Sequence, residues 1–567
     1  MHLLDSLGSS RDITYTVFLH EQALAIAAES YAQYTNRPSA ALVTTGPGGT
    51  NSVTGLAAAW LDSTPVFFIS GQVKRSDMVG TTGVRQIGPQ EIGIIPIVQS
   101  ITKYAVTVME PSEIRYHLER AWYEATNGRK GPVWLDIPLD VQAAEIDEES
   151  LTAFKPDETV KKNLHAIDGI PEMLNRSRRP LILAGNGIKM AGAGGAFLEL
   201  IDRLNIPVIL TWKVLDLLPY THRLNFGCPG SLGHRYANFI LQNCDLLMVI
   251  GSRLDVSITA FNQPGFAPNA TKILIDVDKN EMDKMNFDAL RIVSDAGEFI
   301  ESLSNCITEP PAVNEEWLAY CNSMKSKYPV VLPEYREQTD FVNAYVFIEE
   351  LCAIIDEDEI IVPESSGSAG EVTFQAWKVK EGQKIRNAAA LGSMGFGLPY
   401  SIGACIANGQ KRVILINGDG AFQLNIQELE TIQRLKLPVK IFIWSNGGYA
   451  SIMATQRNFF NGRYVASERG SGLTLPDIKK IGEAYGLKSF KINTPMEVVS
   501  GIKAVLESDG AVICEVRMNP LQPTVPRVQS LRMPDGTMKS KPLHDMFPFL
   551  SENEIRENML NTEHCVQ

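Results

Sequence analysis

The segment Asn417-Gly418-Asp419-Gly420-Ala421 follows the β-branched run Arg412-Val413-Ile414-Leu415-Ile416. Its carboxylate is therefore expected at a strand end, where ligands gather in parallel sheets. Glycines on both sides of Asp419 let the backbone approach a phosphate closely, and the carboxylate offers a hard oxygen to a Mg2+ ion. Residues 421–445 suffice for one helix and the next strand, Val439-Lys440-Ile441-Phe442-Ile443-Trp444, after which comes Asn446-Gly447-Gly448-Tyr449. That spacing predicts Asn446 alongside Asp419, with the Asn446 amide oxygen and the Gly448 carbonyl completing the protein ligands of one metal. Gly418, Gly420, Ala421 and Tyr449 would then lie around the diphosphate that the metal neutralises. A lone Gly-Asp-Gly also makes ordinary turns. The two halves together, each after a strand, favour the metal site.

Other segments carry weaker signals by themselves. Leu391-Gly392-Ser393-Met394-Gly395-Phe396-Gly397-Leu398-Pro399 combines small residues with one large flexible apolar side chain, which also describes a glycine-rich turn with a core methionine. Phe18-Leu19-His20-Glu21-Gln22-Ala23 reads as a helix start, where an acid is favoured by the helix dipole. Thr45-Gly46-Pro47-Gly48-Gly49-Thr50-Asn51 follows another strand, and Gln90-Glu91 sits in a polar loop. The eight histidines include no adjacent pair.

Positioning these groups requires parallel sheets. Apolar runs alternate with helix-compatible stretches in three sets, an α/β pattern of three domains, each a mostly parallel sheet flanked by helices. The first set comprises Ser39-Ala40-Ala41-Leu42-Val43-Thr44-Thr45, Pro65-Val66-Phe67-Phe68-Ile69-Ser70 and Gly131-Pro132-Val133-Trp134-Leu135-Asp136-Ile137. The second comprises Pro180-Leu181-Ile182-Leu183-Ala184, Pro207-Val208-Ile209-Leu210, Leu246-Leu247-Met248-Val249-Ile250 and Lys272-Ile273-Leu274-Ile275-Asp276. The third adds Glu359-Ile360-Ile361-Val362 and Ala511-Val512-Ile513-Cys514-Glu515-Val516 to the two strands above. Polar stretches at 144–162 and 309–338 mark the boundaries, giving domains at 1–150, 165–310 and 340–520. The proline-punctuated tail, 521–567, cannot be one helix and is expected to wrap the surface or cover a site.

A formal charge of −13 without a long basic run argues against a nucleic-acid partner. No apolar run reaches the roughly 20 residues of a membrane helix. The start lacks a basic-then-apolar signal, so a cytoplasmic protein without membrane association is expected. Eight cysteines without close pairing point to reduced thiols.

Gly418-Asp419-Gly420 followed by Asn446 resembles the signature of the thiamine-diphosphate-dependent enzymes, with Ser445 standing where the family's first of two asparagines would be. The resemblance implies thiamine diphosphate and Mg2+ as cofactors, with Asp419, Asn446 and Gly448 as metal ligands. It makes 1–150 the pyrimidine-binding domain and 340–520 the diphosphate-binding domain. Met394 would bend the cofactor, and the Gly392 carbonyl would accept a hydrogen bond from its 4'-amino group. Glu21 would protonate the pyrimidine N1', a task suited to a carboxyl with a raised pKa. Pro47 and Asn51 belong to the same cofactor loop. Because the family's glutamate and metal site come from different subunits, the resemblance implies a homodimer or homotetramer with active sites at the subunit interface.

Within that family the chain resembles the acetolactate synthase-like carboligases, including relatives in sugar and polysaccharide pathways. Asp62-Ser63-Thr64-Pro65, Gly71-Gln72-Val73-Lys74-Arg75-Ser76 and Phe266-Ala267-Pro268 carry this similarity, and Gln90-Glu91 would match an active-site pair with Gln90 in a catalytic role. The loop 83–89 is longer than in acetolactate synthases, Pro89 replaces a phenylalanine, and the tail 540–550 is similar to the polysaccharide-associated relatives. The implied reaction is decarboxylation of a 2-oxo acid, pyruvate first, and ligation of the remaining unit to a second carbonyl compound. A nucleotide-linked keto-sugar as acceptor, simple decarboxylation, oxidation and a silent homologue are the alternatives. Leu183-Ala184-Gly185-Asn186-Gly187, Gly251-Ser252-Arg253-Leu254-Asp255 and Ile275-Asp276-Val277-Asp278 suit a dinucleotide cleft. FAD is left open, since acetolactate synthases carry a structural flavin there and related carboligases have lost it. Arg253 and Asp276 read equally well as surface residues. Met1-His2-Leu3-Leu4-Asp5-Ser6-Leu7 resembles the second helix of the family's first domain, so a first domain truncated by one strand-helix unit, roughly 30 residues, is expected.

Overall fold

A computed structural model describes residues 1–156, 167–309 and 314–560. The apolar runs form three parallel sheets. The first contains β1 (Ser39–Val43), β2 (Val66–Gln72), β3 (Tyr104–Thr107) and β4 (Val133–Pro138) in the order β1-β2-β4-β3. The second contains β5 (Pro180–Ala184), β6 (Val208–Leu210), β7 (Leu246–Ile250), β8 (Thr271–Asp276) and β9 (Leu290–Val293) in the order β6-β5-β7-β8-β9. The third contains β10 (Ile360–Pro363), β11 (Lys384–Ile385), β12 (Val413–Gly418), β13 (Val439–Ser445), β14 (Lys488–Ile492) and β15 (Val512–Arg517) in the order β11-β10-β12-β13-β15-β14. Helices cover both faces, so inner strands such as β4 and β7 are buried along their whole length and read as unbroken apolar runs.

The first and third sheets share a pattern. The order β12-β13-β15-β14 repeats β1-β2-β4-β3, with the last two strands exchanged in both. Thr45-Gly46-Pro47 after β1 and Asp419-Gly420 after β12 therefore occupy equivalent sheet positions, as do Gln72 at the end of β2 and Ser445 at the end of β13.

Between these sheets, the helix Gly397–Ala407 lies along the helix Glu21–Thr35. Their close approach rests on small residues: a Cβ on Gly403 would stand 2.3 Å from the Ala27 carbonyl oxygen. Ser30 Oγ donates to the Tyr400 carbonyl at 2.7 Å, and Tyr400 OH to Gln33 Oε1 at 2.9 Å. The three sheet units meet at Lys213, whose ammonium donates to Asp62 (2.8 Å), Gln33 (3.0 Å) and the Asn387 carbonyl (2.6 Å). Beside it, Asp216 pairs with Lys189 and Arg386, and Arg386 also donates to the Gln33 carbonyl. Removing one partner from such a buried group strands a charge, at a cost of about 3–5 kcal/mol.

Three parts of the fold differ from the sequence reading. Strands β3, β9, β11 and β14 were not expected, and all four stand at sheet edges. The polar stretch before residue 338 contains the helix Glu315–Lys327, which docks on the second unit through Trp317, whose indole N–H donates to the Pro180 carbonyl at 2.9 Å. Residues 157–166 and 310–313 of the expected linkers lie outside the described residues. The continuous helix expected after Asp419 is divided into Asp419–Phe422, a 3-10 turn Gln423–Asn425 and Glu428–Leu435. The tail wraps the second unit: Arg235 donates to the carbonyls of Met546 and Pro548, and Asn238 to that of Leu543. Of the cysteines, Cys565 lies outside the described residues and the other seven are free thiols.

Candidate active site

Asp419 stands at the end of β12, 3% exposed. Its Oδ1 accepts the Gly420 N–H at 2.8 Å, and its Oδ2 accepts the N–H groups of Asn446 and Gly447, each at 3.0 Å. Burial pushes its pKa up to about 6, against the pull of those three donors. Both halves of the expected motif are thus in hydrogen-bond contact. The Asn446 side-chain oxygen is buried and has no partner among the described residues. An unpaired buried acceptor costs roughly 1–3 kcal/mol, which a cation would relieve. A carboxylate, an amide oxygen and a backbone carbonyl are hard oxygens of the kind Mg2+ takes, so the residues present fit the implied metal. Tyr449 folds over the loop: a Cβ on Gly420 would lie 2.5 Å from its ring. The Tyr449 N–H donates to the Ser467 carbonyl at 2.9 Å, fixing Gly448 just before it.

Gly392 and Met394 are half-buried on the turn that precedes the helix Gly397–Ala407. Gly392 has φ +63°. Asn425 donates to the Gly395 carbonyl (2.8 Å) and to Gln22 (3.2 Å), linking this turn to the residue after Glu21.

Glu21 is the first residue of the helix Glu21–Thr35, and the His20 ring caps that helix by accepting the Gln22 N–H at 3.1 Å. Asn51, on the helix Pro47–Leu61, donates to Glu21 Oε2 at 3.0 Å. Gly46 has φ +64°, and a Cβ there would stand 2.2 Å from the Gln90 carbonyl oxygen, so the Pro47 turn and Gln90 abut. Gln90 is exposed with φ +60°. Glu91, expected as its active-site companion, turns inward instead. Its carboxylate accepts the N–H groups of Val79, Ile87 and Gly88, which hold its pKa below the ordinary value despite the cost of burial.

Sequence reasoning missed three residues that support this arrangement. Gln72 accepts from Thr45 (3.0 Å) and donates to the Ile92 carbonyl (3.0 Å) and to Asp136 (3.1 Å). Asp136, 1% exposed, also accepts from Ser70 at 2.6 Å, and burial pushes its pKa up to about 6. Glu428 accepts the Leu19 and His20 N–H groups, each at 3.1 Å, so the third unit fixes the start of the Glu21 helix. The signal for each is a polar residue in an apolar or helical stretch, and its partner is known only from the fold.

The site residues therefore form two groups. Glu21, Pro47, Asn51 and Gln90 gather on the first unit, while Gly392, Met394 and the Gly418–Tyr449 residues gather on the third. Among the described residues the hydrogen bond at the Glu21 carboxylate comes from Asn51, not from the Asp419 group.

A cleft of about 440 Å3 opens where the three units meet. Arg253 and Asp276 line it, with Asn186 and Gly187, and it continues to Asn387 and Gly392 on the third unit. Burial raises the pKa of Asp276. The three segments expected to form a dinucleotide cleft thus share one cavity. Among the described residues, no helix is long and apolar enough to cross a membrane.

Comparisons with known proteins give the same picture. Residues 1–92 match the family model "Thiamine pyrophosphate enzyme, N-terminal TPP binding domain", 167–303 the central domain, and 365–516 the C-terminal TPP binding domain. The chain is 31% identical to the acetolactate synthase large subunit of Cyanidium caldarium, over 89% of this chain and 86% of that protein. It is 30% identical to the acetolactate synthase isozyme 1 large subunit of Escherichia coli K12, over 92% and 90%. It is 33% identical to the acetolactate synthase large subunit of Corynebacterium glutamicum, over 89% and 80%. With two TPP-binding domain models at its ends and this similarity along most of its length, the chain belongs to the thiamine pyrophosphate enzymes and is acetolactate synthase-like.

Proposed function

We propose that this enzyme is a Mg2+- and thiamine-diphosphate-dependent carboligase that removes CO2 from a 2-oxo acid, with pyruvate as the first candidate, and joins the remaining unit to a second carbonyl compound. The observation that carries the metal-diphosphate part is the orphaned Asn446 amide oxygen, held in the loop whose N–H groups bind Asp419. Asp419, Asn446 and the Gly448 carbonyl would hold the metal, with Gly418, Gly420, Ala421 and Tyr449 around the diphosphate. When bound, thiamine diphosphate supplies an electron sink for the pair released as the 2-oxo acid loses CO2.

The protein's own residues do the rest. Glu21 holds the proton at the pyrimidine N1', steadied by Asn51. Met394 and the Gly392 carbonyl set the cofactor's bend and orient its amino group. Gln90, exposed beside the Pro47 turn, reaches toward the reacting carbonyl. As the family resemblance implies, each active site is completed across a subunit interface of a dimer or tetramer, with Glu21 from one chain and Asp419 from its partner. The three-unit cleft is where a structural FAD would sit, as an alternative to a nucleotide-linked acceptor and not together with one. A nucleotide-linked keto-sugar as acceptor is favoured by one observation: the same cleft runs from Gly392 to the basic side chains Lys130 and Arg253.

The test is to incubate the full chain with pyruvate, thiamine diphosphate and Mg2+, with and without a second 2-oxo acid or a keto-sugar. CO2 release with an acetohydroxyacid or a branched sugar supports carboligation. Free aldehyde identifies a decarboxylase, and no CO2 with any acceptor rejects the proposal.

A further inference from the structure

Glu364 is a fully buried carboxyl that none of the roles above uses. It follows β10, the strand next to β12, and its own N–H donates to the Ile416 carbonyl at 2.8 Å. Its Oε1 accepts the N–H groups of Ser365 (2.9 Å) and Phe396 (3.3 Å), and its Oε2 accepts that of Gly397 (3.0 Å). Phe396 and Gly397 are the cap and first residue of the helix Gly397–Ala407, whose free N–H groups favour an anion there. They also end the turn that carries Gly392 and Met394. The Glu364 carbonyl accepts from Asn387 at 3.0 Å, which holds the other end of the same stretch.

The second side of Glu364 faces the metal arm. A Cβ on Gly397 would lie 2.8 Å from Glu364 Oε2 and 2.9 Å from the amide nitrogen of Asn417, which is itself fully buried and stands two residues before Asp419. The Glu364 carboxylate and the Asn417 amide thus both crowd the Gly397 backbone, while the Asn417 side chain makes no hydrogen bond among the described residues and the Ile416 carbonyl supplies the direct bond from Glu364 to β12. A capped helix alone would not require the Asn417 amide at that point. Burial pushes the Glu364 pKa up to about 7, opposed by the three N–H donors. Such a balance marks a carboxyl kept in a dry site for its N–H donors.

We infer that Glu364 is a positioning residue that locks the 392–397 turn to the 417–420 metal arm, holding the pyrimidine end of thiamine diphosphate in register with its metal-bound diphosphate end. This rests on the cofactor reading above. The lock acts between the two ends of one ligand, so it matters to thiamine diphosphate and not to a ligand that occupies the metal end alone.

The experiment compares binding of Mg2+-thiamine diphosphate and Mg2+-inorganic diphosphate to the full chain by calorimetry, in wild type, Glu364→Gln and Gly397→Ala. Glu364→Gln keeps the shape but turns a donor toward a backbone N–H. Gly397→Ala keeps the carboxyl but drives a methyl against it. Expected in both variants is a roughly tenfold weaker affinity for thiamine diphosphate, inorganic diphosphate bound within about twofold of wild type, and an unchanged far-ultraviolet circular dichroism spectrum. Equal weakening of both ligands, or of neither, overturns the inference. If Glu364→Gln does not fold, Gly397→Ala decides by the same criteria. Wild-type protein that binds neither ligand overturns the cofactor reading itself, and the lock with it. Wild-type binding of both with unselective variants overturns only the lock.

Discussion

A carboxyl in this enzyme behaves according to what surrounds it. Glu21 is half-buried and takes one hydrogen bond from Asn51, leaving an oxygen for a ligand. Glu21→Gln preserves that contact and removes the ionisable proton. We expect thiamine diphosphate binding within about threefold of wild type and a loss of turnover of roughly a hundredfold or more. Near-normal turnover would place the activating acid elsewhere. Asp136 is the opposite case, a buried acid whose folded pKa of about 6 exceeds its ordinary 3.8. Between those values the native state binds more protons than the unfolded chain. This group's contribution is therefore complete below about pH 4 and lost as pH rises through about 6, a change on the order of 3 kcal/mol. Asp136→Asn is neutral throughout and flattens that slope. Its lost acceptor adds only a constant offset. Melting temperatures of variant and wild type, followed from pH 4 to 7, should therefore shift in the variant's favour with rising pH, and parallel curves would reject the assignment.

Elements that carry the site meet at backbone contacts with no room for a side chain. The Pro47 turn after β1 touches the Gln90 loop at Gly46, and the Asp419 loop after β12 touches Tyr449 at Gly420. Gly46→Ala adds a methyl 2.2 Å from the Gln90 carbonyl at a φ that L-residues adopt with strain. The two loops must separate, which should reduce kcat on the order of a hundredfold. Mg2+-diphosphate binding at the Asp419 group, on another unit, should be unaffected, and calorimetry beside steady-state kinetics separates the two effects. The strands legible in the sequence were largely the interior ones, because a strand buried on both faces reads as an apolar run. Those that escaped, β3, β9, β11 and β14, are edge strands with one neighbour each. Their half-exposed sequences, such as Lys488-Ser489-Phe490-Lys491-Ile492, carry no such run.

For the whole molecule, the proposed reading pairs Glu21 of one chain with Asp419 of its partner, which makes assembly a condition of activity. Glu21→Gln and Asp419→Ala each disable one half of every site. Dissociated and reassembled as an equal mixture, they form mixed dimers in which one of two sites is intact. Activity should recover to about one quarter of wild type. No recovery, with mixed dimers verified by differential tagging, would show that each chain builds its own site. Lys213 gives the units of each chain a fixed geometry, since its ammonium joins Asp62 and Gln33 of the first to Asn387 of the third.

The sequence by itself determined the α/β class, three units, the Asp419 loop at a strand end and the turn holding Gly392 and Met394. These are local: an apolar run specifies a buried strand, and glycines beside an acid specify a tight loop at its end. Even the pairing of Asp419 with Asn446 was legible, because one helix and one strand separate them and adjacent parallel strands fix the rest. The tertiary structure alone decided which distant residues serve those loops. Glu428 against Leu19 and His20, Gln72 against Asp136, and Glu364 against Phe396 and Gly397 are contacts between segments whose order along the chain says nothing of their distance in space. A buried polar side chain is stable only with partners, and only sheet order and helix packing bring those partners together.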